Sequence, residues 1–340
     1  MYLKYLLLIT LAFTAAFVNG QTTNITILDS AKQTGIRGLS VVDDNVVWCS
    51  GTRGQVAKST DGGKTFTWTT VAGYEKRDFR DIEAFDSNIA IIMAVSEPAV
   101  LLKTYDGGIT WKKVFEDTTK GMFLDAMDFI DDKDGVVVGD PINGEIFFAN
   151  TTDSGNTWKR TYMAKAEKGE AFFAASGSNI KLIRQGQKEK TEIMYVSGGL
   201  KSKLYSSKVA NQMLLPIVQG KESAGANAIA VFGNKGIIVG GDFDNDTNSE
   251  NNCVLFDMSK DIKFSHPQTT PHGYRSSVIY IDAKTLVACG TSGVDISYDG
   301  GLNWQLISKG SYHVVQKAKR GKSIYLAGSK GRIAKFSYTL

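Results

Sequence analysis

Histidine and cysteine are scarce in this chain of 340 residues, with three of each. His266, His272 and His313 are too few to build a multi-histidine metal centre easily. Cys49, Cys253 and Cys289 are too few, and odd in number, for a small scaffold stapled by disulfides. Cys49 in VVWCSG and Cys289 in LVACG sit within apolar strands, which favours buried free thiols. One bridge between Cys253 and Cys289 is the alternative. A strong charge of one sign is also missing. The formal net charge is +4, and VVQKAKRGK is the densest basic cluster, which a solvated strand face explains. That leaves no electrostatic footprint for nucleic acid. The glycine-rich dinucleotide fingerprint, the phosphate loop, H-E-x-x-H, C-x-x-C and G-x-S-x-G are all absent.

Long apolar runs are missing too, with one exception at the start. MYLKYLLLITLAFTAAFVNG carries one Lys, an apolar stretch from about Tyr5 to Val18, and small residues before Gln21. The run has the layout of a secretory signal peptide and is short for a membrane span. The expectation is a signal peptide over residues 1–20 and an exported chain, secreted or periplasmic, with no transmembrane span after cleavage. Losing Lys4 lowers the charge to about +3. Residues 21–340 then form a single domain, expected as a monomer.

What the sequence has in abundance is repetition. STDGGKTF, TYDGGITW, TTDSGNTW and SYDGGLNW place aspartates at 61, 106, 153 and 299, at intervals of 45, 47 and 146. The last interval spans about three periods, so two copies have lost the loop. A period in the forties marks a repeat built from several strands. The strands confirm it: VVWCSG, AIIMAVS, GVVVGD, IMYVSGG, GIIVGG, TLVACG and SIYLAG make seven copies. An apolar strand precedes each, a third follows, and the Asp loop leads into a fourth. Four short strands, tight glycine turns and no helical periodicity predict an all-β, seven-bladed β-propeller with four-stranded antiparallel blades. The last unit stops after three strands, so NITILD (24–29) is expected to close the ring as its fourth.

The motif S/T-x-D-x-G-x-T-W resembles the Asp-box, or BNR repeat, of sialidases, xyloglucanases and related propellers. Within that group, IRGLSVVDDNVVWCSGTRGQVAKSTDGGKTF and FRDIEAFDSNIAIIMAVSEPAVLLKTYDGGITW are similar to blades of the photosystem II stability/assembly factor family. The likeness is strong over 35–158 and 274–304 and weaker between. It implies a seven-bladed propeller acting as an assembly or scaffold protein. Asp61, Asp106, Asp153 and Asp299 read as structural loop residues, because Asp accepts backbone N–H bonds and the glycines supply positive φ.

Strand order puts the Asp loops on one face and the turns between second and third strands on the other. Arg37, Arg80 and Arg275 begin the innermost strands of their blades, 24, 26 and 24 residues before their aspartates. The other blades offer Leu124, Glu170, Asn227 and His313. Arg37, Arg80, Glu170, Asn227, Arg275 and His313 are therefore the candidate ligand residues at the channel mouth. Guanidinium forks suit carboxylate, sulfate or phosphate. The alternative is that each Arg clamps neighbouring blades, through Asp78 or Asp81 for example.

Asp242, Asp244 and Asp246 have the one-three-five spacing of a calcium loop. Thr247 stands where such a loop wants Gly, and Cys253 where it wants Glu, so an acidic turn competes with calcium. No other cofactor is implied.

Two functions compete. One is an exported, non-enzymatic binding or assembly propeller that takes a protein partner, an acidic ligand or a glycan. The other is a glycoside hydrolase of the sialidase or xyloglucanase type, with the three arginines as a carboxylate triad and Tyr274 with Glu170 as nucleophile pair. Against it, IRG stands where sialidases carry Arg-Ile-Pro, and no acid/base Asp is placed convincingly. No catalytic residue is assigned. A quinone-holding redox propeller has no supporting motif.

Overall fold

The computed structural model describes residues 22–162, 164–184 and 191–339, so the expected signal segment lies outside the described residues. Seven antiparallel sheets follow one another around a central channel. Blade 1 runs Ile36–Val41, Val47–Gly51, Gln55–Ser59 and Thr67–Thr70; blade 2 begins at Phe79 and blade 3 at Leu124. Blade 4 has its inner strand at Ile180–Arg184, preceded by a two-residue strand, Glu170–Ala171. Blades 5, 6 and 7 start at Ala224, Ser277 and Val314. Thr22–Asp29 pairs antiparallel with Ile333–Thr339 and supplies the fourth strand of blade 7. Among the described residues the only helical turns are of the 3-10 type, Phe243–Asn245 and Ser329–Gly331, and no helix is long and apolar enough to cross a membrane.

The alternation of each strand sends side chains to both faces, so every sheet packs on two neighbours. Seven apolar layers result, one per interface. Trp48, Ile82, Ile92 and Leu102 fill that between blades 1 and 2. Ile36, Val47, Tyr325 and Ile333 fill the closing interface between blades 1 and 7. The seam is also fastened by polar contacts: Trp68 Nε1 donates to Asp29 Oδ2 at 2.8 Å, and Tyr325 Oη donates to the Gly62 carbonyl at 2.9 Å.

All three cysteines are free and buried, and burial pushes their thiols up. The alternative of a Cys253–Cys289 bridge fails because the two face different layers. Cys253 packs between blades 5 and 6, and Cys289 between blades 6 and 7.

The Asp loops repeat one hydrogen-bond pattern. In blade 2, Thr110 N and Thr110 Oγ1 donate to Asp106, Thr104 Oγ1 donates to Asp106 Oδ1 at 2.9 Å, and Gly108 N donates to Thr104 Oγ1 at 2.9 Å. The same bonds surround Asp61 and Asp153, and these donors hold all three carboxyls down at about 2. Asp299 keeps the pattern with Asn303 in place of Thr, and its carboxyl is also held low. Lysines of the third strands lock these loops to the preceding blade. Lys58 Nζ donates to Gly107 O at 2.9 Å, and Lys103 Nζ to Ser154 O at 2.7 Å.

Candidate functional site

The innermost strands share a feature that decides which side chains reach the channel mouth. Register shifts fall between Ile36 and Gly38, Phe79 and Asp81, Leu124 and Ala126, and Ala226 and Ala228. One extra residue sits in each bulge: Arg37, Arg80, Asp125 and Asn227. A bulge re-aims the side chain it carries. Leu124 is therefore not the blade-3 counterpart of the arginines; Asp125 is. Glu170 pairs with Gly199 as Ile36 pairs with Gly51, so it holds the inward position before the bulge.

Arg37 is half-buried, and no hydrogen-bond or ion-pair partner reaches its guanidinium among the described residues. Burial and the nearby Arg80 lower its pKa, with Asp78 acting the other way. Arg80 donates through Nε to Asp78 Oδ2 at 2.7 Å, and its guanidinium carbon lies 5.6 Å from the centre of the Phe123 ring. Its two terminal nitrogens make no further hydrogen bond among the described residues.

His313 is buried, donates from Nδ1 to the Ile36 carbonyl at 2.8 Å, and meets Ser329 Oγ at 3.2 Å through Nε2. Burial and the charges of Arg37 and Arg80 push its pKa down to about 4, so it is neutral at physiological pH. Asn227 is fully buried, donates to the Gly225 carbonyl and accepts from Tyr274 Oη at 2.8 Å. Asp125 is also fully buried, with the backbone amides of Ala174 and Asp140 nearest its carboxyl. Burial and the neighbouring Asp140 raise its carboxyl well above the usual range, against a pull from Arg80.

Two candidates turn away from the mouth. Arg275 is fully buried: Nε donates to Asp295 Oδ2 at 2.7 Å, and Nη1 donates to Tyr274 O at 2.7 Å and Ser292 Oγ at 2.9 Å. Its fork is consumed inside blade 6. Glu170 accepts from Ser197 Oγ at 2.7 Å and Tyr205 Oη at 2.8 Å, with Lys203 Nζ at 3.4 Å. The three arginines do not converge as a triad, and Tyr274 bonds to Asn227 where a hydrolase nucleophile pair needs Glu.

The acidic loop does not gather its carboxylates. Asp242 accepts from Ser223, Lys221 and the Asp244 amide, while Asp246 Oδ2 accepts from Thr291 Oγ1 at 2.6 Å. Among the described residues no cluster of three or more His, Cys, Asp or Glu is arranged to hold a metal. The Asp242 and Asp246 carboxylates are thus spent on different neighbours, and the calcium reading of Asp242, Asp244 and Asp246 gains no support from this arrangement.

Behind the mouth the channel is bridged by residues 172–179 of blade 4. Ser176 Oγ donates to the Ser276 carbonyl at 2.6 Å in blade 6, and Ile229 N of blade 5 donates to Ser178 O at 2.8 Å. Gly177 has φ +66°, and a Cβ there would lie 2.4 Å from the Asp81 carboxyl of blade 2. Beyond this bridge, toward the Asp loops, lies a cavity of about 460 Å³. Its charged walls are largely self-paired, with Lys181 on Asp128 at 2.7 Å and Lys319 on Glu83.

Residues 21–120 match the family described as Photosynthesis system II assembly factor YCF48. Over that segment the chain is similar to the YCF48 family. Among solved structures, "YCF48 bound to D1 peptide" superposes with a TM-score of 0.61 at 16% identity, covering 96% of this chain and 99% of the other. YCF48 from Cyanidioschyzon merolae gives 0.59 at 16% identity, covering 92% and 98%. The WD40 β-propeller domain of Doa1 gives 0.61 at 13% identity, covering 92% and 97%. At such identities the likeness shows the fold, which this chain shares with propellers of different families. No curated protein matches the chain in sequence.

Proposed function

We propose that this chain is an exported, non-enzymatic propeller that binds a protein partner through an acidic group at the channel mouth. One observation carries the reading: a half-buried guanidinium, Arg37, without a partner among the described residues and beside a second arginine, Arg80. Guanidinium groups are desolvated at a cost, and like charges repel, so such a pair is retained most readily where an anion completes it. The neutral His313 adds no charge of its own, and Asp78 is hydrogen-bonded to Arg80 while acting on Arg37 only through space. A structural neighbour described as YCF48 bound to D1 peptide supports a protein partner. The signal-like first twenty residues support export.

The hydrolase reading loses its support at Arg275 and Glu170, which are engaged within their own blades. The reading is tested by affinity capture from the native envelope with wild type and the Arg37→Gln/Arg80→Gln double variant. A partner held by wild type and lost by the variant is expected. Equal capture by both, or robust turnover of aryl glycosides, overturns it.

A further inference from the structure

The mouth is chemically two-sided. Blades 7, 1 and 2 bring His313, Arg37 and Arg80, and blades 3 to 6 bring rings. Phe173 of blade 4 meets Phe243 of blade 5 edge-on, with centroids 5.8 Å apart and planes at 89°. Phe243 meets Tyr274 in turn, at 6.3 Å and 80°. Tyr274, at one end of this arc, lies within electrostatic reach of Arg37, and separately Phe123 of blade 3 lies against Arg80.

Phe243 is the unusual member. It stands in the acidic turn after Asp242, on the face of the second-to-third-strand turns, and is 46% exposed. Asp242 is tied down by Ser223 and Lys221, and the turn is a 3-10 segment capped by the Asp242 side chain, so the ring is presented on an ordered support. An ordered, exposed ring packed on Tyr274, which itself lies within electrostatic reach of the unpaired Arg37, fits the composition of binding hot spots, which favour aromatic residues and Arg.

We infer that the mouth reads a protein segment in which an aromatic or large aliphatic side chain lies next to a carboxylate. The Phe173–Phe243–Tyr274 arc takes the side chain, and Arg37 with Arg80 takes the carboxylate. The inference rests on the reading that the partner's acidic group docks at the mouth, and it adds the apolar requirement. The arginines alone accept any anion; the arc selects among anions by what is attached to them.

The test uses the full chain and three capped peptides, acetyl-Gly-Phe-Asp-amide, acetyl-Gly-Gly-Asp-amide and acetyl-Gly-Phe-Asn-amide, titrated by NMR. Wild type should bind the first tightest. Phe243→Ser, at a half-exposed position, should weaken the Phe-Asp peptide about fivefold or more and leave the Gly-Asp peptide unchanged, as expected for loss of an apolar contact. Phe243→Gln, which keeps more of the side-chain volume, guards against a folding artefact in the Ser variant. Arg37→Gln should weaken both Asp peptides alike. If Arg37→Gln weakens both and neither Phe243 variant discriminates, the apolar inference falls and the mouth reading stands. If Arg37→Gln changes nothing, or wild type binds none of the peptides, both fall.

Discussion

Arg275 and Asp295 are both fully buried, and the guanidinium of one is spent on the carboxylate of the other at 2.7 Å. Arg37, at the start of the equivalent strand in blade 1, has no such partner among the described residues. The two should therefore respond oppositely to substitution. Arg275→Ala leaves Asp295 buried with its remaining contacts to His272, and removing one member of a buried pair costs about 3–5 kcal/mol. Arg37→Gln should change unfolding free energy by about 0.5 kcal/mol or less, or raise it slightly by relieving repulsion from Arg80. Urea unfolding of both variants checks the contrast; equal losses would mean that Arg37 is structural too.

That contrast marks the limit of reading sites by counting along the chain. The seven-fold pattern, the loops and the closing strand were legible because strand and turn chemistry is local and repeats. What each arginine meets is set by the third strand. Asp295 in GVDIS occupies the place of Ala57 in QVAKS and Leu102 in VLLKT, so only blade 6 of these three offers an acid to capture its arginine. An Asp within an apolar strand was a signal available in the sequence. Asp125 was missed for another reason: the bulge adds a residue, and spacing from the Asp loop cannot locate it.

The closing strand makes its own prediction. Thr22–Asp29 pairs along Ile333–Thr339, and Asp29 Oδ2 accepts from Trp68 Nε1 of blade 1 at 2.8 Å. Deleting residues 22–29 bares the edge of blade 7 and removes a link across the seam. The truncated chain should melt at least about 5 °C lower or aggregate. Differential scanning calorimetry with light scattering decides, and unchanged melting would show that closure contributes little.

The Asp loops predict a structural effect without a binding one. Asp106→Ala removes the acceptor for Thr110 N, Thr110 Oγ1 and Thr104 Oγ1 and should lower the melting temperature by a few degrees. Its mouth lies on the opposite face, so peptide affinity there should stay within about twofold of wild type. Asp61, Asp106 and Asp153 titrate at about 2 in the fold and near 4 when unfolded, so their contribution is lost as pH falls from about 4 to 2. Melting curves over that range should show a decline that is shallower in the Asp106 variant.

Asp81 predicts the opposite slope at higher pH, between about 4 and 7. Its carboxyl is buried against Gly177 in the bridged channel, accepts from the Ile82 and Met127 amides, and is raised to about 7 by burial. The carboxylates of Glu83 and Asp128 reinforce the rise, while Lys181 and Lys319 are occupied in pairing those two. An unfolded Asp releases its proton near 3.9, so between about 4 and 7 the folded state holds a proton that the unfolded state lacks. Stability then falls as pH rises through that window, by up to about 4 kcal/mol from this one group. Asp81→Asn keeps the shape and removes the titration. Replacing one acceptor by a donor will lower its absolute stability, so the informative quantity is the slope: urea midpoints of the variant between pH 5 and 8 should decline less steeply than those of wild type. Asp125, raised by burial as well, adds the same slope to both proteins and cancels in the comparison. Parallel slopes would show that Asp81 is ionised in the fold throughout, and that the contact with Gly177 tolerates its charge.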